Sequence, residues 1–138
     1  MRIVGIDFGE RRIGVAAADN RTRIAIPVTT IEIRDDDPVS ALVKLVEDER
    51  AEELVIGLPV SLSGAEGPQA LRVREVAEAL AKRVDIPIHF HDERLTSVEA
   101  ARGPDLPRGR KRKPSLTRDA AAATILLQAY IDGQTPYE

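Results

Sequence analysis

Three acidic residues, Asp7, Glu93 and Asp119, occupy positions from which their carboxylates could bind a metal ion. Asp7 follows the apolar residues 3–6 inside a predicted strand, where an ionised group is costly unless it is paired or binds a metal. Glu93 follows the last predicted strand, and Asp119 lies in the first turn of the last predicted helix. Mg²⁺ and Mn²⁺ prefer oxygen ligands and can activate water against a phosphodiester. These three residues are therefore predicted to be metal ligands and catalytic residues.

Each acid also has a purely structural explanation. Asp7 could cap the turn after its strand, although a metal ligand is the favoured interpretation there. Glu93 could form a salt bridge with Arg94, and the pattern supports both interpretations about equally. Asp119 could simply favour the positive end of a helix dipole, which taken alone is the stronger explanation. The set of three gains weight from the topology that the rest of the chain predicts.

The turn after Asp7 carries groups that suit phosphate. Gly9 lets the backbone approach a phosphate closely, whereas Gly14 could serve only to keep two strands close together. Arg11 and Arg12 could clamp a phosphate, although exposed arginines are also common in hairpin turns. We predict phosphate contacts at Gly9, Arg11 and Arg12.

Other kinds of catalysis find little support. The chain has no cysteine, which excludes disulfides, thiol catalysis and cysteine-based metal sites. His89 and His91 share one face of the last predicted strand and are expected to be surface residues, with His91 a distant second choice for the active site. No base adjoins the candidate nucleophiles Ser61, Ser63 and Thr96.

A basic segment stands out in an acidic chain. The net charge of the chain is −3, yet residues 102–118 contain seven basic residues and one acidic residue. Glycines and prolines oppose a helix, so a flexible loop is expected at about 102–116. Such a run is usually a solvated loop, but its single sign of charge favours phosphate binding. Predicted nucleic-acid contacts, besides the two turn arginines, are Arg108, Arg110, Lys111, Arg112, Lys113 and Arg118.

Size and composition fit one domain, expected over residues 1–138, of which 43% are apolar and 31% charged. No apolar run is long enough for a membrane span, and an acid at position 7 interrupts any signal-peptide core, so a cytoplasmic protein is expected. The chain has two Phe, two Tyr and no Trp. Too few aromatic residues are present to stack several bases, so backbone phosphates should dominate binding.

Hydrophobic periodicity predicts an α/β protein. The predicted strands are residues 2–8, 13–18, 22–33, 54–58 and 87–91, with Pro27 acceptable only at an edge or bulge. Asp37 should cap the first helix, and Pro68 should open a second that turns Leu71, Val76, Leu80 and Val84 inward. A capping box at residues 96–99 starts a short helix, and residues 119–132 form the last one, ended by Gly133. A three-stranded antiparallel meander followed by alternating helices and strands predicts a mixed five-stranded sheet with helices on its faces, as in the ribonuclease H-like fold.

Four segments resemble, in order, the motifs of the YqgF/RuvX family. The first is residues 7–15, Asp-Phe-Gly-Glu-Arg-Arg-Ile-Gly-Val. The second combines Val-Ile-Gly-Leu-Pro at 55–59 with Gly-Ala-Glu-Gly at 64–67, and the third is Asp-Glu-Arg-Leu-Thr-Ser-Val-Glu-Ala at 92–100. The last joins Asp-Ala-Ala-Ala-Ala at 119–123 to Ile-Leu-Leu-Gln at 125–128, so the resemblance spans nearly the whole chain.

The resemblance implies a ribonuclease H-like fold akin to RuvC-type resolvases. It also implies a nuclease that processes the 5′ end of precursor 16S ribosomal RNA, or a Holliday junction resolvase. Carried over by motif, its acidic site falls on Asp7, Glu93 and Asp119, with Mg²⁺ or Mn²⁺ as cofactor. Many enzymes of this fold have a carboxylate at the end of the fourth strand, but residues 57–59 are Gly-Leu-Pro. Two metal ions would then need ligands from substrate phosphates.

Four hypotheses follow. The favoured one is a metal-dependent nuclease acting on structured RNA, above all precursor 16S ribosomal RNA, as a monomer or homodimer. A junction resolvase would act on branched DNA and would need a symmetric dimer. A sugar kinase of the actin-like fold is less expected, because that architecture needs two domains. A nucleic-acid-binding factor without catalysis would keep the fold and the basic loop. The sequence does not decide between RNA and DNA.

Overall fold

The protein folds around one mixed β-sheet. A computed structural model describes residues 1–9, 11–33, 37–59, 63–93 and 118–133. Within these ranges the elements, in chain order, are β1 (Arg2–Phe8), β2 (Arg12–Asp19), β3 (Ile24–Glu32), α1 (Pro38–Asp48), β4 (Glu53–Leu58), α2 (Pro68–Ala81), β5 (Ile88–Asp92) and α3 (Arg118–Asp132). None of the described helices is both long and apolar enough to cross a membrane.

The strand order across the sheet is β3-β2-β1-β4-β5. β1, β2 and β3 pair antiparallel, whereas β4 lies parallel to β1 and β5 lies parallel to β4. The predicted meander and mixed five-stranded sheet are therefore confirmed. Because β1, β4 and β5 run in the same direction, their carboxyl ends meet at one edge of the sheet.

The two faces of the sheet carry separate cores. Alternate residues of a strand point to opposite faces. Val4, Ile6 and Phe8 of β1 belong to the larger core, which α1 and α2 cover. Ile3 belongs to the core under α3, and Gly5 also touches α3. Asp7 continues this second series, so its side chain lies on the α3 face of the sheet.

The predictions for β3 are confirmed. β3 is an edge strand, as Pro27 requires, because proline cannot donate a ladder hydrogen bond. Opposite Pro27 the register between β2 and β3 shifts between Val15 and Ala16, an irregularity typical of a bulge.

The predicted start of α1 is also confirmed. Asp37 is the N-cap residue and Pro38 begins the helix. One carboxylate oxygen of Asp37 accepts a hydrogen bond from the backbone N–H of Val39 at 3.0 Å, and the other accepts one from the Ser40 hydroxyl at 2.9 Å. These bonds satisfy donors that the helix cannot satisfy internally.

One prediction for α2 is wrong. Pro68 begins the helix and Leu80 is buried, as predicted, and Val76 and Val84 pack against the larger core. Leu71, however, is 55% exposed. The buried stripe of α2 consists of Ala70, Val73, Ala77 and Leu80. These residues follow helical spacing from position 70, and Leu71 lies one residue off that stripe, where the helix faces solvent.

The cap of α1 makes a pH-dependent contribution to stability. The hydrogen bonds from Ser40 and from the Val39 N–H hold the pKa of Asp37 below its ordinary 3.8. Because the pKa is lower in the folded state than in the unfolded chain, the ionised carboxylate stabilises the fold fully above the unfolded-state pKa of 3.8. This stabilisation is lost as the pH falls through the lower pKa of the folded state. Asp37→Ala should therefore unfold at a lower temperature than wild type at neutral pH, and the gap should shrink below about pH 3.8. Thermal unfolding followed by circular dichroism over a pH series measures the gap, and an undiminished gap in acid would contradict this explanation.

Candidate active site

Asp7 is fully buried at the carboxyl end of β1. Its neighbour in β2 is Gly14, which pairs with it directly. Keeping a carboxylate ionised in such a place is costly unless hydrogen bonds, opposite charge or a cation compensate. Its burial fits the predicted ligand better than a simple exposed turn cap.

α3 brings Asp119 to the same place. A Cβ added to Gly14 would lie 1.8 Å from the carbonyl oxygen of Asp119, so the backbone of α3 occupies the space that any other residue's side chain would need. The carboxylate of Asp119 reaches toward the turn after β1, because its Oδ1 lies 2.7 Å from the corresponding Cβ position of Gly9. Since Gly14 pairs with Asp7, the structure brings Asp7 and Asp119 together from opposite ends of the sequence.

Glu93 approaches from the other side. It follows β5 directly and is 8% exposed. Its Oε1 lies 2.8 Å from the position that a Cβ of Gly57 would take, and a methyl carbon of Leu126 in α3 lies 2.9 Å from that same position. Gly57 belongs to β4, which stands between β1 and β5. Gly57, in a strand that ends without a carboxylate, therefore gives room to the carboxylate of Glu93.

The three acids thus gather at one edge of the sheet and on its α3 face. Among the described residues no three acidic or histidine side chains form a ready-made metal-binding group. The donors that do meet there are carboxylate oxygens, the ligands that Mg²⁺ and Mn²⁺ prefer. The chemistry of this donor set fits a hard divalent cation, whose remaining ligands would have to come from water or from substrate phosphate.

The turn between β1 and β2 has a structural role of its own. The Gly9 N–H donates a hydrogen bond to the Arg12 carbonyl oxygen at 2.7 Å. A Cβ on Gly9 would lie 2.9 Å from that same oxygen. The absence of a side chain at Gly9 therefore allows both the close turn and the approach of the Asp119 carboxylate. Arg11 and Arg12 are exposed and line a shallow depression with Glu32 and Ile33. Both arginines therefore remain open to solvent, and their phosphate contacts stay a prediction.

A polar cluster at the amino end of β4, on the α3 face of the sheet, was not predicted. Glu53 is 7% exposed, accepts a hydrogen bond from the Tyr130 hydroxyl at 2.9 Å, and pairs with Nε2 of His89 at 2.8 Å. His89 stacks on Tyr130, and His91 meets the edge of the same ring. Both histidines lie at the surface, His89 exposed and His91 half-buried. The Nε2 of His91 is buried, without a hydrogen-bond partner in the part of the chain described, and burial lowers the pKa of His91 below the ordinary 6.5.

The sequence carried one signal of this cluster. His89, His91 and Glu93 alternate along β5, and alternation places them on one face. The partner residues Glu53 and Tyr130 could not be found in this way, because they lie 77 residues apart in the chain.

Several predicted features and candidate binding residues lie outside the described residues. They are the basic loop at about 102–116, the capping box at 96–99, and the residues Arg94, Arg108, Arg110, Lys111, Arg112 and Lys113. Arg118 is the first residue of α3.

A family model described as "RuvX: Holliday junction resolvase" matches residues 1–133. The chain belongs to the RuvX family. A relative from Moorella thermoacetica, named "Putative pre-16S rRNA nuclease", is 45% identical over 136 residues, which cover 96% of this RuvX chain and 95% of the relative. A relative of the same name from Caldanaerobacter subterraneus is 40% identical over 97% of the RuvX chain and 98% of its own length. Family and relatives identify the chain as a nuclease, an enzyme that hydrolyses phosphodiester bonds.

Solved structures confirm the fold. The RuvX chain resembles Thermus thermophilus RuvC, solved in complex with a Holliday junction substrate, with a TM-score of 0.58 at 16% identity. The match covers 95% of the RuvX chain and 94% of RuvC. The predicted ribonuclease H-like fold is therefore confirmed.

The close contact at Gly14 can be tested by substitution. Gly14→Ala places a methyl group on the backbone of Asp119, so either β2 or the first turn of α3 must move. We expect a loss of about 1–3 kcal/mol in the free energy of unfolding, typical of overpacking. Urea denaturation measures the loss.

Gly67→Ser is the matched control for this substitution. Gly67 is the N-cap of α2, has extended backbone angles, and has nothing within 4 Å of its Cβ position. Serine is also a good N-cap residue, so stability should stay the same or rise slightly. Equal stability of Gly14→Ala and wild type would show that α3 does not depend on the missing side chain.

Proposed function

We propose that this RuvX-family chain is a divalent-metal-dependent nuclease that matures the 5′ end of precursor 16S ribosomal RNA. The gathering of Asp7, Glu93 and Asp119 at one edge of the sheet is the observation that carries the proposal. The relatives named "Putative pre-16S rRNA nuclease" align with this chain over nearly its whole length, which supports the same substrate here.

The residues have distinct roles in this proposal. Asp7 and Asp119 would hold the Mg²⁺ or Mn²⁺ ion from two sides, and Glu93 would complete the acidic set from the direction of β5. A bound ion supplies Lewis-acid stabilisation of the negative charge that builds up on the phosphate during hydrolysis. Asp7 is fully buried within β1 and pairs with Gly14 of β2, so the sheet fixes the position from which its carboxylate would hold the ion.

Substrate binding is assigned to basic side chains near the acids. Arg11 and Arg12 are exposed on the turn that begins two residues after Asp7. The basic segment at about 102–116 precedes Asp119 in the chain and supplies further phosphate contacts. Backbone phosphate binding of this kind is tolerant of sequence and weakens steeply with salt.

A Holliday junction resolvase is the second candidate. The description of the family model favours it. Coordinated cutting of two strands would require a symmetric dimer, whereas trimming one RNA strand needs only a single copy of the chain.

A cleavage assay tests the proposed function. Wild type should cut a precursor 16S RNA fragment in Mn²⁺ or Mg²⁺, and a chelator should stop the reaction. Asp7→Asn should lower the rate by on the order of a hundredfold or more while RNA binding persists, because it removes a ligand and leaves the basic side chains in place. Asp48→Asn, an exposed acid at the end of α1, is the matched control and should retain full activity.

The other outcomes of this assay are informative. Paired symmetric cuts in a synthetic four-way DNA junction, without RNA cleavage, would support the resolvase. Binding without cleavage of either substrate would support a non-catalytic factor. Full activity of Asp7→Asn would contradict the assignment of the acidic site.

Metal binding can be measured without any substrate. Mn²⁺ at about a hundred times its dissociation constant should stabilise wild type by about 2.7 kcal/mol, because the ion binds only the folded protein. Asp7→Asn should lose most of this stabilisation, and Asp48→Asn should keep it. Thermal unfolding with increasing Mn²⁺ gives the result, and an identical shift in all three proteins would place the ion elsewhere.

A further inference from the structure

A second site lies on the opposite face of the sheet from the acids. A cavity of about 270 Å³ opens between the amino-terminal ends of α1 and α2, beside the end of β1. Its walls are apolar and include Phe8, Ile33, Val73 and Val76. We propose that this cavity receives one unpaired nucleobase of the nucleic-acid substrate, from a nucleotide next to the phosphate that is cut. This inference rests on the proposed function, because it takes the substrate from there.

The cavity adjoins the acidic site. Gly9 lines the cavity, and the Cβ position of the same residue lies 2.7 Å from Oδ1 of Asp119. One residue of the backbone therefore separates the two sites at the carboxyl edge of the sheet. Ligands of open α/β sheets bind in the crevice at this edge. A nucleotide lying across the edge would place its phosphate near Asp7 and Asp119 and its base on the other side.

The lining suits a flat heteroaromatic ring. Apolar walls offer contact to the two faces of a base, and burial of those faces is favourable. The side chains of Gln69 and Arg72 are exposed at the rim. An amide such as that of Gln69 can donate and accept hydrogen bonds at a base edge. The volume is below that of pockets for drug-sized ligands, which suits a single base.

The surroundings carry the charge that a nucleotide needs. Pro38 and Pro68 are the first residues of α1 and α2, and both line the cavity. The amino end of α2, which has no side-chain cap, and the guanidinium of Arg72 therefore supply positive charge near its mouth, whereas the carboxylate of Asp37 already caps α1. These two groups would complement a neighbouring phosphate of the same strand, which favours a nucleotide over an uncharged apolar ligand.

A path leads from the cavity to the predicted phosphate clamp. Ile33 and Pro38 line both the cavity and a neighbouring depression, and Glu32 and Ile33 continue into the depression that contains Arg11 and Arg12. Glu32 and Asp37 add negative charge along this path, so the arginines must provide the phosphate contacts. The depressions are continuous with the cavity and could hold one strand. A paired base could enter the cavity only by leaving its helix, so the strand bound there would be single.

The test measures binding, so that it does not depend on cleavage. RNA fragments that span the 5′ precursor boundary, each with one abasic position, are titrated with Asp7→Asn protein in a chelator. Removal of the base that occupies the cavity should weaken binding about tenfold, the magnitude of one base held against an apolar surface. The other positions should change binding little.

Two substitutions assign that effect to the cavity. Val76→Phe fills it and should weaken binding of the intact RNA by the same factor, with no further loss at the sensitive abasic position. Leu71→Phe adds a similar ring on the exposed side of α2 and should leave binding unchanged. Arg72→Ala, at the exposed rim, should weaken RNA binding without affecting the fold. Lys82→Ala, at the far end of α2, should leave RNA binding unchanged.

The outcomes separate this inference from the proposed function. Independent effects of Val76→Phe and the abasic position, or no effect of Val76→Phe in a protein that unfolds like wild type, would overturn the base site. A single sensitive base in a chain that cuts no RNA would support the cavity and overturn the nuclease. RNA cleavage by wild type with no sensitive abasic position would support the nuclease and overturn the base site.

Discussion

The contact between the first turn of α3 and Gly14 is the constraint on which the acidic site depends. The carbonyl of Asp119 lies where a side chain on Gly14 would project. Farther along α3, Leu127 lies 2.9 Å from the Cβ position of Gly5 in the same way. The helix therefore lies closer to the sheet than ordinary side chains would allow. This closeness holds a carboxylate from position 119 beside one from position 7, whereas a larger residue at position 14 would push α3 outward and separate the two acids.

Parallel strands provide the other half of the arrangement. The carboxyl ends of β1, β4 and β5 share one edge, so Asp7 and Glu93 meet there although 85 residues separate them in the chain. Gly57, which lies in the strand between them, leaves room for the carboxylate of Glu93 and for Leu126 of α3. The alternation of side chains along β1 then places neighbouring residues on opposite faces of the sheet. Asp7 points toward α3, and Phe8, the next residue, points toward α1 and α2 and forms a wall of the cavity.

Local patterns predicted the elements well because their causes are local. Asp37 caps α1 through residues two and three positions later, and Pro27 restricts its strand by its own missing N–H. The acids themselves could be predicted from strand ends, from a helix start and from the family motifs. The reason for Gly14 and Gly57 could not, because it lies in the approach of α3 from more than 60 residues away. Leu71 was assigned to the wrong side of α2 for a related reason, since the neighbouring helix and sheet decide which stripe of a weakly amphipathic helix is buried. The pairing of Glu53 with His89 and Tyr130 likewise depends on tertiary contacts.

The geometry also bears on which nucleic acid suits this site. Acids on one face of the sheet and a cavity on the other, if it holds one base as we propose, would require a strand that bends across the edge with an unpaired nucleotide. The end of a precursor RNA can supply such a nucleotide at little cost, since single-stranded bases are already free to leave a stack. The arms of a four-way junction are paired, so each productive complex would have to break stacking and pairing first. If the cavity holds a base, then the fold that is seen in RuvC with a Holliday junction substrate would here be better suited to a single strand, and the preference would arise from a cavity beside the acids rather than from the acids themselves.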